Sequence, residues 1–84
     1  MEQIDGRVAQ AFANALGIDP SAVSDELTYG SIPQWDSVAH MILVAELETA
    51  FGLLLDTEEI LAMSSFRVIR ELVATKLNSS KGAS

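Results

Sequence analysis

No cysteine occurs among the 84 residues, and the chain has one histidine and five Lys plus Arg. Without thiols there can be no disulfide and no thiolate metal site, so a small core must hold by packing alone, as suits a reduced compartment. A cytoplasmic location is therefore expected. One histidine with scattered carboxylates does not supply a zinc set, and no Gly-rich phosphate loop is present. Five basic side chains against 12 Asp plus Glu leave a net charge of −7. That balance argues against nucleic acid or an anionic membrane as partner and for a basic protein surface. No apolar run approaches the ~20 residues that span a bilayer. The opening Met1-Glu2-Gln3-Ile4-Asp5 is acidic and amphipathic where a signal peptide would be basic and then apolar, so none is expected.

What the chain does have is helical periodicity. Ile4, Val8, Phe12 and Ala15/Leu16 recur at helical spacing over residues 2–16, and Gly17 follows as a helix-ending residue would. Residues 18–35 form a long connection pinned by Val23, Leu27, Tyr29 and Ile32, with Asp19-Pro20 starting a short turn. A second helix runs from Ser37 to about Phe51 and stops at Gly52. The connector Leu53-Leu54-Leu55 has no pairing partner that would make it a strand. Asp56 and Glu59 form an acidic capping box for a short helix from Thr57 to about Met63. Ser64 or Ser65 then caps a last helix with Phe66, Ile69, Leu72/Val73 and Leu77 on one face. The expected fold is all-α: one domain over residues 1–77, a small four-helix bundle of three longer helices and one short, with the long loop between helices 1 and 2. Residues 78–84 are small and polar and are expected to be disordered. A core of Phe12, Leu47, Phe51 and Phe66 is predicted, and a monomer.

The second helix is the unusual one. Asp36 is a preferred N-cap residue, and from Val38 onward the first two turns are apolar nearly all round. In so short a chain a helix of this kind cannot be fully enclosed, so it should present apolar surface to a partner. Helical spacing turns His40, Leu43, Val44, Leu47 and Phe51 inward, and leaves Val38, Ala39, Met41, Ile42 and Ala45 outside. With Trp35, Glu46 and Glu48 these outer residues make up the predicted partner surface.

Ser37 stands at the head of this surface. A first-turn serine is unremarkable as a cap, but Asp36 already fills that role, and the long loop keeps this helix end accessible. A phosphate ester on Ser37 would meet unpaired N–H groups and the positive end of the helix dipole. Ser37 and His40 lie on neighbouring parts of one helix, yet a hydrolase would also need an orienting group and oxyanion donors that the pattern does not offer.

Asp36-Ser37-Val38, followed by Leu43, Leu47, Glu48 and Phe51-Gly52, resembles the Asp-Ser-Leu motif and second helix of acyl carrier proteins. The similarity extends from the first helix to about Leu77. The resemblance implies that Ser37 carries 4′-phosphopantetheine, transferred from coenzyme A by a separate phosphopantetheinyl transferase. It implies a carrier and not an enzyme, one that holds acyl or aminoacyl groups as thioesters between a loading enzyme and downstream synthases. Asp36 would serve in transferase recognition as well as capping. The chain departs from the fatty-acid form: Val38 replaces leucine, and Ala39 and Ile42 stand where acids are usual. Trp35 after Pro33-Gln34 is more similar to stand-alone carriers of specialised metabolism. The alternative is an unmodified helical module that docks its apolar helix into a partner.

Overall fold

The apolar stripes of the sequence become helices, and the first two long ones each stop at a glycine, Gly17 and Gly52. The structure is a computed structural model that describes the backbone of residues 2–83 and the side chains of residues 5–78. Helix α1 spans Glu2–Leu16, α2 Ser37–Phe51, α3 Thr57–Ala62 and α4 Phe66–Ala83, with one 3-10 turn at Pro20–Ala22 in the crossover. This is the small all-α bundle expected from sequence. The Ile4 side chain lies outside the described residues. So do the side chains of most of the 78–84 segment expected to be disordered, although the α4 backbone is helical through Ala83. Among the described residues no helix is long and apolar enough to cross a membrane.

Gly17 and Gly52 take φ of 68° and 63°, the left-handed geometry in which a side chain would be strained. Gly52 N–H donates to Glu48 O at 2.9 Å, which closes α2. At the start of the crossover, Ser21 donates its N–H and its hydroxyl to the Asp19 carboxylate, and these two bonds hold Asp19 below its ordinary value.

The core is drawn from every long helix. Val8, Phe12 and Leu16 of α1 meet Leu43 and Leu47 of α2 and Phe66, Ile69 and Val73 of α4, with Met63 and Trp35 closing the ends. Phe12 is central: its ring meets Trp35 edge-on at 5.1 Å and Phe66 at 5.2 Å. Leu47 and Phe66 are buried as predicted. Phe51 is only half-buried, because it lies at the C-terminal edge of α2 under the Arg7 guanidinium, 4.5 Å from its ring centre. Arg7 also donates to the Ala50 carbonyl, a cation placed at the negative end of the α2 dipole.

The crossover is tied down by its backbone. Phe66 N–H donates to Leu27 O and Tyr29 N–H to Ser64 O, both at 2.9 Å, beside an isolated bridge between Thr28 and Ser65. Arg70 adds exposed pairs to Asp25 at 2.6 Å and Asp5 at 3.8 Å, each worth about 1 kcal/mol or less.

Helix α3 is six residues long, too short to stand alone, and is held from outside. The Asp56–Glu59 capping box is complete, and Lys76 donates to both Glu59 oxygens at 2.9 Å. Bonding from the Asp56 N–H first, and from Lys76 second, holds Glu59 below its ordinary carboxylate value. A depressed folded value means that the stabilisation is complete above the unfolded value and is lost as pH falls through the folded one. Glu59→Gln should therefore lower the melting temperature at neutral pH, with the gap from wild type closing towards about pH 3. A gap that persists in acid would show that charge is not what Glu59 contributes. Phe12→Ala should cost about 3–5 kcal/mol in urea unfolding, a large share of the roughly 5–15 kcal/mol of a small domain. A loss below about 1 kcal/mol would remove Phe12 from the centre of the core.

Candidate functional site at the start of helix α2

Trp35 sets the position of the site. Its indole is 1% exposed, packed on Phe12, so the residue just before the cap is fixed in the core and the chain must turn outward from it. Asp36 then caps α2 as expected, its carboxylate accepting the Ala39 N–H at 2.9 Å while its carbonyl accepts the His40 N–H at 2.8 Å. The N–H groups of Ser37 and Val38 have no partner among the described residues, and they face outward with the positive end of the dipole. Ser37 is exposed, and the Asp36 carboxylate is turned to Ala39 rather than to its hydroxyl.

Two apolar depressions meet at Ser37. The first runs along the outer face of α2 and is lined by Val38, Met41, Ile42, Ala45, Glu46 and Thr49 in addition to Ser37. The second is a cleft of about 370 Å³ between α2 and α3, lined by Tyr29, His40, Met41, Ile60, Leu61 and Met63, with Ser37 and Ser64 at its polar edge. That volume is at the low end for a small-molecule site. Ser37 and Met41 belong to both, so a group attached at Ser37 can lie in either.

Of the residues expected at the partner surface, four apolar ones are exposed and three need correction. Val38, Met41, Ile42 and Ala45 are exposed, Val38 at 68%. Trp35, placed at this surface from sequence, is instead buried, because its indole is the wedge that anchors the loop. Ala39 is buried too: residues 39, 43 and 47 form one i, i+4 row, and a methyl side chain lets that row pack closely on the core. Glu48 is taken by the fold, its carboxylate accepting the Leu55 N–H at 3.0 Å and so bracing the connector to α3. Glu46 remains at the rim, half-buried between the outer groove and Arg7.

Leu61, 79% exposed at the mouth of the cleft, is a surface residue that helical spacing did not single out. The signal was available. Four apolar residues in succession, Ile60 to Met63, cannot all face inward on one and a half turns of helix.

His40, expected on the inward side, is half-buried at the rim, and both ring nitrogens are engaged: Trp35 Nε1–H donates to Nδ1 at 3.0 Å, and Nε2 lies 3.0 Å from Ile60 O. No nitrogen is left to take a proton from Ser37. Among the described residues no group of three His, Cys, Asp or Glu is placed to hold a metal ion. No protein-family model and no curated protein matches the chain.

If Asp36 acts on the helix chiefly through its cap bond, Asp36→Ala should cost about 0.5–2 kcal/mol in urea unfolding and Asp36→Asn much less. Equal losses for the two would show that the charge, and not the accepting oxygen, matters to the fold.

Proposed function

We propose that this chain is a carrier protein of the acyl-carrier type, modified on Ser37 with 4′-phosphopantetheine from coenzyme A. The observation that carries the reading is the placing of one uncommitted hydroxyl at a capped helix start, where two apolar depressions meet. The residues fit the group. The free N–H groups of Ser37 and Val38 suit a phosphodiester anion, Met41 and the cleft residues suit an apolar cargo, and the Ser37 oxygen is open to a transferase. When bound, the arm supplies a thiol that holds acyl or aminoacyl cargo as a thioester, a function for which this cysteine-free chain has no group of its own. The chain's part is to position and present. Asp36 keeps the helix start formed, Trp35 fixes where it points, and Val38, Met41 and Ile42 offer a docking face. The reading gives it no catalytic role, since both ring nitrogens of His40 are occupied and no base is placed to take the Ser37 proton. Its partners are a phosphopantetheinyl transferase, a loading enzyme and downstream synthases of specialised metabolism in the cytoplasm.

The test is intact mass after incubation with coenzyme A and a broad-specificity phosphopantetheinyl transferase. Wild type should gain one phosphopantetheinyl group and Ser37→Ala none, with the alanine variant losing at most about 1 kcal/mol of stability. No gain by well-folded wild type would favour the unmodified docking module, and a gain by Ser37→Ala would refute the assignment.

The docking face predicts partner choice. Leaving Val38, Met41 and Ile42 exposed forgoes about 1.5–3 kcal/mol for each side chain that could have been buried, a cost that docking would offset. With no acid at 39 or 42, encounter with basic enzyme surfaces lacks strong steering. Transfer from a fatty-acid malonyl transferase should be slower and less salt-sensitive than for a fatty-acid carrier, and Ile42→Glu should raise both rate and salt sensitivity. Ala39→Asp is unsuitable for this purpose, because residue 39 is buried. Rate and salt dependence equal to those of a fatty-acid carrier would sink the idea.

A further inference from the structure

The sole histidine of the chain joins three segments. An indole nitrogen can only donate, so the Trp35 Nε1–H at 3.0 Å requires His40 Nδ1 to be a bare acceptor. A carbonyl oxygen can only accept, so Ile60 O at 3.0 Å requires Nε2 to carry the proton. The two partners together admit one neutral tautomer of the ring and exclude the cation. Through it the loop before α2, α2 itself and the last turn of α3 are fastened at one point. Trp35 lies nearly parallel to the ring at 6.0 Å and Tyr29 meets it edge-on at 5.3 Å, and Tyr29 and His40 both line the cleft that opens beside Ser37.

We propose that His40 is a pH-operated clasp: neutral, it ties the Trp35 indole to the last turn of α3, and protonated, it lets go of the indole and loosens the inner side of the cleft beside Ser37. A proton arriving from water at Nδ1 would sit against the indole N–H, so that two donors face each other and the bond is lost. The Nε2–H bond to Ile60 O is kept, strengthened by the charge, so the tie that gives is the one to Trp35. Nothing on the neighbouring elements compensates the charge. Tyr29 is the titratable group on the crossover side. On α2, the Asp36 carboxylate is committed to the Ala39 N–H, and on α3, Glu59 is committed to the Asp56 N–H and Lys76. None of them pairs with the imidazole among the described residues. The other ties of α3 are at its start, in the capping box and the Lys76 pair. Its end is also held by the Tyr29 N–H on Ser64 O and by buried Met63, so what the ring controls is its hold on the indole and not the helix as a whole.

The closed form binds one proton fewer than the open one, so closure weakens as pH falls. The clasp is a property of the unmodified fold; only its consequence for a carried group rests on the carrier reading. The experiment therefore uses the full chain without coenzyme A. Imidazole nitrogen shifts by NMR at pH 8 should show Nδ1 unprotonated and Nε2 protonated. Exchange protection of the Trp35 indole N–H, taken relative to free indole at the same pH, should fall about tenfold or more by about pH 5. The amides of Ile69 and Val73 should keep their protection over that range, which separates local release from unfolding. His40→Gln, which offers one acceptor and one donor without titrating, should hold the indole protection flat. A Nδ1-protonated ring at pH 8, an indole protection unchanged to pH 5, or loss of indole and core protection together would overturn the proposal. These wild-type readings decide it even if the glutamine variant does not fold.

Discussion

The edge-on packing of Trp35 on Phe12 is the contact on which the site depends. It buries the largest side chain of the chain immediately before the cap of α2, so a loop of eighteen residues (18–35) ends at a fixed point instead of wandering. From that point only one extended residue, Asp36, separates the core from the helix, and its φ of −107° carries the chain out to the surface. Ser37 is thus exposed by construction. Its position follows from a buried indole two residues away more than from any contact of its own. Aromatic pairs of this geometry contribute about 0.5–1.5 kcal/mol beyond their buried area, a modest sum for a contact that aims the whole site.

Helix α2 is asked to serve two surfaces at once. Ala39, Leu43, Val44 and Leu47 belong to the core, while Val38, Met41 and Ile42 are apolar and exposed. A chain of this length cannot cover both sides, since small domains bury a lower fraction of their surface than large ones. The exposed side is therefore a standing cost to solubility that the net charge of −7 offsets by mutual repulsion between copies. Few of those charges are on the apolar face itself. Glu46 alone stands at its rim, and Glu48, which the spacing would add, is spent on the Leu55 N–H.

Much of this was legible in the residues. Caps and stops are local chemistry, and Asp19, Asp36, Asp56, Gly17 and Gly52 all act where their side chains, or their lack of one, predict. The long stripes were legible for the same reason, since a 3.6-residue period needs no knowledge of the partner helix. What escaped were the choices made by tertiary contact. Ala39 and Ala45 are equally small and equally apolar, and only the i, i+4 row shared with Leu43 and Leu47 sends the first inward. Glu48 has the same side chain as Glu46, but a backbone N–H seven residues further along the chain lies within its reach. Trp35 carries no mark of burial at all until Phe12 is seen beneath it.

The same division explains why α3 is the adaptable part of the fold. Six residues cannot hold a helix in water by their own hydrogen bonds, so α3 relies on its surroundings, among them four contacts: Glu48 through the connector, Lys76 through Glu59, His40 through Ile60, and Met63 in the core. Three of these four are polar, and two depend on charge. A helix packed by an apolar stripe would resist change until the whole core gave way, because interiors are close-packed and share their strain. One held by a few polar ties can give at a single tie while α1, α2 and α4 stay as they are. The wall of the cleft beside Ser37 thus rests largely on polar ties, while the serine itself is presented by α2, which is anchored in the core.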